Sequence, residues 1–337
     1  MAVTLKDVAE LAGVSRSAVS RAFTEGASVS DKVRLKVIEA STRLGYSPNA
    51  LASSLTTGRT KLIGVVSNNF HNPIFLEVFD LVTKGLQERG LRPLLVNLSD
   101  EVDPANSVRM LRQYSIDGVI VASSTLPVSF AEAFQSAGVP VVHLFGRHSA
   151  QAKVHTVGID NFVAGQMAAQ TLIARGYDTI GFMGGPETAT STQDRYTGFL
   201  SELRTHPNIA HSVTYAKAYS FAAGREEMLR LIAAGPAQAY FCGDDVLSIG
   251  ALSAAETAGL LVPDQIGFLG LNDMEMAHWA NINLTTIHNP IKQVVAGSVE
   301  LVVAMLLDPT QLPKAVIFPG HIVERVTLRP VGTGTIF

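Results

Sequence analysis

The sequence predicts an α/β protein in which a small all-α unit precedes a core of two doubly wound, parallel-sheet lobes. Three observations carry that prediction. Residues 1–46 show helical spacing of apolar side chains interrupted at Gly13 and Gly45. From Lys61 onward, short apolar runs alternate with amphipathic segments, the pattern of βα units and a parallel sheet. That alternation runs through two successive series, enough for two lobes, and 337 residues with 47% hydrophobic content exceed one ordinary core.

The first unit begins with Thr4, a natural helix cap with Asp7 three residues on, and Leu5, Val8, Ala9 and Ala12 share one face. Gly13 breaks this helix and Ser15 caps the next. In that second helix Ala18, Val19 and Ala22 face inward, while Arg16, Ser17, Ser20 and Arg21 face outward. Two helices joined by a tight turn, the second exposing two arginines and two hydroxyls, read as a helix-turn-helix able to enter a DNA major groove. A third helix starts at Ser30, with Val33, Val37, Ala40 and Leu44 inward and Lys32, Arg34, Lys36 and Arg43 expected mostly on its outer surface.

Charge agrees with this division. Residues 1–60 hold eight Lys/Arg against five Asp/Glu, net +3, and the remainder holds 18 against 24, net −6, which together give the chain's −3. A basic head on an acidic body directs the head toward phosphate. The single cysteine, Cys242, allows no intrachain disulfide and reads as a core side chain in a reducing compartment. The start has no basic and apolar leader pattern, and no stretch reaches the roughly 18 apolar residues of a membrane helix, so a cytoplasmic location is expected.

Several motifs together make the chain resemble the LacI/GalR family of bacterial repressors. They are Leu5-Lys6-Asp7-Val8-Ala9, Ala12-Gly13-Val14-Ser15, Val19-Ser20-Arg21 and Gly45-Tyr46-Ser47-Pro48-Asn49. The resemblance implies a DNA-binding headpiece at residues 1–46 and a hinge helix and linker at 47–60. It implies an effector-binding and dimerisation core at 61–337, similar to the periplasmic sugar-binding-protein fold. Lobe 1 would span about 61–160 and 290–320 and lobe 2 about 161–289 and 321–337, with chain crossovers near Asp160, His288 and Gly320. DNA contacts are expected from Thr4, Ser15, Arg16, Ser17, Ser20 and Arg21. The hinge, too short to be stable alone, would add Asn49 and Ala52 and wedge Leu55 into the minor groove.

Within the core, strands are expected at 62–67, 94–98, 118–122 and 139–144, with helices at 73–89, 104–114 and 128–137 between them. The second series places strands at 179–183, 213–216, 239–242 and 266–270, and helices at 164–175, 195–203, 221–234 and 246–258. Ligands of doubly wound lobes collect beyond the carboxyl ends of the strands, so the cleft between the lobes is the expected small-molecule site. The resemblance places Asn69, Asn72, Phe75, Asp160, Ser191, Arg195, Tyr219, Asp244, Asn272 and Asn289 around it. Amides, carboxylates and an arginine would grip vicinal hydroxyls while Tyr219 stacks on a sugar face. Arg195, read as the start of a helix where a cation opposes the dipole, is expected to detect the effector, and its loss to leave stability unchanged.

Catalysis finds little support in the sequence. Gly181-Phe182-Met183-Gly184-Gly185-Pro186 is neither a dinucleotide nor a phosphate loop, and GxSxG, HExxH and CxxC are absent. His143, His148 and His155 lack metal-ligand spacing. Asp244-Asp245 and Asn272-Asp273 could pair as acid and base, but polar strand ends that bind a hydroxylated ligand explain them as well. The expectation is a regulator, not an enzyme, without cofactor or metal: a homodimer on pseudo-palindromic duplex DNA, controlled by a small sugar-type effector. A purine or other non-sugar corepressor is the alternative, and a solute-binding protein a more distant one. Asp244 stands where many family members carry asparagine, and Asn272 where aspartate is common, so effector identity does not transfer. Arg16 and Ser17 fall at the family's variable base-reading positions, so the operator sequence does not transfer either. No heptad repeat marks the C-terminus, which argues against an added tetramerising coil.

Overall fold

The computed structural model describes residues 3–24, 26–47, 54, 58–98, 103–149 and 151–332. The hinge positions Asn49, Ala52 and Leu55 lie outside the described residues. The chain divides into an N-terminal helical unit and a large α/β unit.

Helices α1 (Leu5–Ala12), α2 (Arg16–Phe23) and α3 (Asp31–Leu44) form the first unit. Thr4 and Asp7 close a reciprocal capping box, and Gly13 at φ 65° takes the left-handed conformation that ends α1. Val8, Ala9, Ala12, Val19, Ala22, Val37 and Ala40 are the core, with Leu5, Val33, Leu44 and Tyr46 packed on it. The outer-surface reading fails for Arg34. Its guanidinium donates to the carbonyls of Ala22 (2.6 Å) and Ala27 (3.4 Å), tying α3 to the end of α2 and the loop beyond. A cation there also answers the negative end of α2.

Among the described residues the large unit contains two six-stranded sheets. The first uses β1 (Leu62–Ser67), β2 (Arg92–Asn97), β3 (Gly118–Ala122), β4 (Val141–Leu144), β5 (His155–Ile159) and β11 (Ala315–Phe318). Its order is β11-β5-β4-β3-β1-β2, and every pairing is parallel. The second uses β6 (Thr179–Gly184), β7 (Ala210–Tyr215), β8 (Ala239–Cys242), β9 (Gly267–Asn272), β10 (Thr286–His288) and β12 (His321–Val323). It runs β12-β10-β9-β8-β6-β7, parallel except for the antiparallel edge pair β10–β12. The chain passes between sheets three times: after β5 at Asp160, after β10 at Asn289 and Pro290, and between β11 and β12 at Gly320.

Helices α4 (Ile74–Glu88), α5 (Pro104–Gln113), α6 (Val128–Ser136) and α11 (Ile291–Leu307) accompany the first sheet. Helices α7 (Asn161–Ile173), α8 (Thr190–Leu203), α9 (Phe221–Ala234) and α10 (Asp245–Thr257) accompany the second. The sequence reading predicts no element at β5 or beyond residue 270, and so misses β5, β10, α11, β11 and β12. The late strands have three or four residues, and α11 is too uniformly apolar for a clear polar face. Two helix pairs close the second lobe by glycine contact. A Cβ on Gly165 of α7 would strike the Arg195 carbonyl, and one on Gly198 of α8 the Phe162 carbonyl; Gly224 and Gly250 do the same between α9 and α10. Among the described residues no helix is long and apolar enough to cross a membrane.

Candidate functional site

In the helical unit, Ser15 caps α2 by accepting from the Ala18 N–H (3.1 Å), and its hydroxyl also meets that of Ser17 at 2.9 Å. Arg16, Ser17 and Arg21 are exposed and Ser20 is half-buried. Thr4 accepts from the Asp7 N–H at 3.4 Å, and the hydrogen bonds returned by Thr4 hold the Asp7 carboxyl below its ordinary range. Thr4 and Ser15 therefore spend their hydroxyls on caps. Arg16, Ser17 and Arg21 form the exposed face of α2, where the Arg21 Nε donates to the Ser17 carbonyl at 3.3 Å.

In the large unit, a cleft is lined by Asn72, Phe75, Ser124, Phe145, Asn161, Arg195, Asp244, Asn272 and Asn289, with Ile74, Ile159 and Ile291. Most follow the carboxyl end of a strand, the position doubly wound topology favours. The cleft as it stands leaves about 30 Å³ and is partly open to solvent, far below the ~300 Å³ at which small-molecule pockets begin.

Asp244 is the hub of the polar network. Its Oδ1 accepts from the Val246 N–H (2.8 Å), and its Oδ2 accepts from Asn72 and Asn272, each at 3.0 Å. Asn72 belongs to the first lobe and Asp244 to the second, so this bond crosses the cleft. Asn289 donates to Asn272 Oδ1 at 3.1 Å, while its own Oδ1 is buried without a partner. Arg195 is buried, donates to Asn161 Oδ1 at 2.8 Å and also to the Gly243 carbonyl. Phe145 at φ 65° and Asn272 at φ 117° hold left-handed backbone, strain that rigid surroundings must maintain.

Of the ten core residues expected around the cleft, six line it: Asn72, Phe75, Arg195, Asp244, Asn272 and Asn289. The other four are placed differently. Asn69 is half-buried and donates weakly to Thr125 at 3.4 Å. Asp160 caps α7, accepting from the N–H groups of Phe162 and Val163, and faces His148 at 3.3 Å. Ser191 is buried in the first turn of α8 with an unpartnered hydroxyl. Tyr219 packs in the hydrophobic core, its hydroxyl 2.6 Å from that of Thr192, and is not among the residues that line the cleft. Arg195 does not start a helix: α8 begins at Thr190, and the guanidinium is held by Asn161 and Gly243. Sequence reasoning missed Ile74, Ser124, Phe145, Ile159, Asn161 and Ile291. Their common signal is position at or just beyond a strand end or at the start of a helix.

Burial sets the ionisation of the surrounding groups. It raises the Asp244 carboxyl, against the lowering pull of its donors and Arg195, and raises neighbouring Asp245 to about 7. Asp245 accepts from Thr286 (2.5 Å) and the Met274 N–H (2.8 Å), pinning the turn after β9. Asp273 lies below its ordinary range because bonds from Arg325 and His288 outweigh its burial. Burial raises the Cys242 thiol to about 12, which keeps it neutral and unreactive. His143 is lowered to about 4 by burial, although its Nε2–H donates to the Ser123 carbonyl at 3.1 Å.

His143 and Asp245 give opposite acid responses. Below pH 6.5 the unfolded chain protonates His143 while the native protein refuses the proton down to about 4. That contribution is thus present above 6.5 and lost as pH falls. Asp245 keeps its proton in the native state up to about 7, so its contribution is present at low pH and lost as pH rises from the ordinary carboxylate range. The stability advantage of wild type over His143→Gln is expected to shrink by about 3 kcal/mol between pH 6.5 and 4. Urea unfolding at the two pH values measures it, and a pH-independent difference would place a charged or hydrated imidazole in the native protein.

A helix-turn-helix with an exposed arginine-bearing second helix, together with a two-lobed core around a polar cleft, defines a ligand-responsive DNA-binding regulator. Residues 4–49 match the bacterial regulatory proteins of the lacI family, and residues 169–328 match the periplasmic binding protein-like domain. The HTH-type transcriptional repressor PurR of Photorhabdus laumondii is 30% identical over 311 residues, spanning 90% of this chain and 89% of that one. The chain belongs to the LacI family and is a DNA-binding transcriptional regulator, not an enzyme. Its fold is similar to that of the lac repressor dimer bound to operator and an anti-inducer, with a TM-score of 0.85, 24% identity and coverage of 97% and 99%. It is also similar to the transcriptional regulator CelR in complex with cellobiose, with a TM-score of 0.70, 26% identity and coverage of 97% and 100%.

Proposed function

We propose that the protein is a homodimeric repressor that works in the cytoplasm. Its paired headpieces would hold a pseudo-palindromic operator, and its core cleft would take a small carbohydrate-type effector that lowers operator affinity. One observation carries the effector class: four asparagine amides, a carboxylate and a guanidinium converge on a cleft whose other walls are Ser124 and the apolar Ile74, Phe75, Phe145, Ile159 and Ile291. Polar groups that both donate and accept, set among apolar walls, suit a ring bearing vicinal hydroxyls. The Asn289 Oδ1, buried without a partner, would accept from a ligand hydroxyl brought into the cleft. The similar regulator CelR takes cellobiose, which supports the same class. Exposed Leu76 on α4 and Leu95 on β2 offer apolar surface for a second copy. Leu55 is proposed as the minor-groove wedge on the family resemblance.

A purine-type corepressor is the second reading, favoured by the PurR relatives and by Phe75 and Phe145, whose rings meet edge-on at 6.0 Å in the cleft. Thermal-shift screening of the full chain against cellobiose, ribose, sugar acids and nucleobases separates the two. A ligand at 100 times its Kd adds about 2.7 kcal/mol and raises the melting temperature by several degrees. Shifts confined to nucleobases would transfer the cleft to the second reading, and no shift with either class would sink both.

For the headpiece, Arg21→Ala is expected to cost about 1–3 kcal/mol on operator DNA, as for a bidentate guanine contact. Parallel titrations on operator and random duplex check this. Equal losses on the two would make Arg21 a phosphate contact.

A further inference from the structure

A second inter-lobe contact lies beside the cleft, and the ion pair at its centre uses none of the residues that line the cleft. Arg147, just beyond β4 in the first lobe, reaches the first turns of α8 in the second. Its Nε donates to Asp194 Oδ2 at 2.8 Å and its Nη2 to Asp194 Oδ1 at 2.7 Å, a bidentate pair. Nη2 also lies 3.1 Å from the Thr190 carbonyl and 3.1 Å from Gln193 Oε1. On the same turns, the Ser191 N–H donates to the Ser124 carbonyl at 3.4 Å, again from second lobe to first. Asp194 is the sequence neighbour of Arg195, so one stretch of α8 carries both the contact to the opposite lobe and a side chain of the cleft.

We infer that Arg147 is a positioning residue for lobe closure: through Asp194 it holds the start of α8 against the first lobe and sets how readily the cleft opens, without touching the effector. The reason is steric as well as electrostatic. The cleft as it stands leaves about 30 Å³, too little for a sugar-sized effector, so the bonds that join the lobes oppose its entry. The Asn72–Asp244 bond lies inside the cleft, where effector groups can replace it. The Arg147–Asp194 pair lies outside, where no effector reaches, so it opposes opening and supports reclosure whatever the cleft contains. Its consequence for effector affinity rests on the proposed function; its effect on closure does not.

A natural probe is built into α8. First-turn amides have no acceptor within their own helix, and Ala189 before α8 supplies no side-chain cap. The Ser191 amide is thus protected by a first-lobe carbonyl, and its hydrogen exchange reports lobe separation directly. In the full-length protein, with neither effector nor DNA, Arg147→Ala is expected to accelerate exchange at Ser191 roughly 2- to 5-fold, the range for a part-exposed bidentate pair. Exchange in the last turns of α8 and the melting temperature should stay near wild type. Asp194→Ala should match it, and the exchanged pair Arg147→Asp with Asp194→Arg should recover most of the protection, which a merely structural role would not produce. Unchanged exchange at Ser191 in Arg147→Ala, or an exchanged pair no better protected than the single variants, would overturn the inference. Because the test uses no sugar and no operator, its failure leaves the repressor reading standing, and a failed sugar screen leaves the clasp standing.

Discussion

Arg195→Ala is expected to abolish the effector response and also to lower stability by about 2–4 kcal/mol. The guanidinium is buried and satisfies Asn161 Oδ1 and the Gly243 carbonyl, two acceptors that lose their charged donor on truncation. It also supplies a positive charge that favours the ionised form of buried Asp244. Removing it leaves unpaired acceptors and a less compensated carboxylate in one place. The sequence alone led to the opposite expectation for stability, because Arg195 read as a helix start with nothing to hold it. Urea unfolding with and without a sugar that raises the wild-type melting temperature separates the two effects. A variant that loses the response at wild-type stability would show a guanidinium serving the ligand alone, and one that keeps the response would take Arg195 out of the cleft.

That misreading has a local cause. The first turn of α8 is Thr190-Ser191-Thr192-Gln193-Asp194, mostly weak helix formers, and Ala189 gives no cap signal. Helical periodicity becomes visible only at Arg195, five residues late. The headpiece was legible because its signals are short-range: Thr4 and Ser15 cap, Gly13 and Gly45 stop, and the buried faces of α1 and α3 recur at helical spacing. The alternation of strands and helices was legible for the same reason. The cleft was only partly so, because it gathers side chains from β1 to β10 that are far apart in sequence. Polar Asn72, Asp244, Asn272 and Asn289 could be found beside strand ends, whereas Ile74, Ile159 and Ile291 look like any core residue. Tyr219 is the converse case, an aromatic near a strand end that packs in the core here, its hydroxyl beside that of Thr192. Arg147 carried no local signal at all, because its partners lie more than forty residues away.

Gly198→Ala is expected to be among the most damaging single substitutions in the protein, costing about 3 kcal/mol or more. The ordinary expectation for a glycine inside a helix is the reverse, a gain of about 0.5–1 kcal/mol on replacement by alanine. What decides the sign is the distance between α7 and α8. A Cβ at Gly198 meets the Phe162 carbonyl well inside contact distance, and a Cβ at Gly165 meets the Arg195 carbonyl, so neither helix yields without moving backbone. Both collisions sit beside the cleft, since Phe162 follows Asn161 and Arg195 is itself a lining residue. Separating the helices would therefore carry Arg195 away from Asn161 and Gly243 while destabilising the lobe. Gly85 on α4 is the internal control: a Cβ there finds Val299 at 3.4 Å, ordinary contact, and Gly85→Ala is expected to be neutral or stabilising by up to about 1 kcal/mol. Denaturant midpoints of the two variants measured side by side decide the matter. If Gly198→Ala unfolds at the wild-type midpoint, the helices tolerate the extra methyl, and close backbone approach is not what holds α8 and its cleft residues in place.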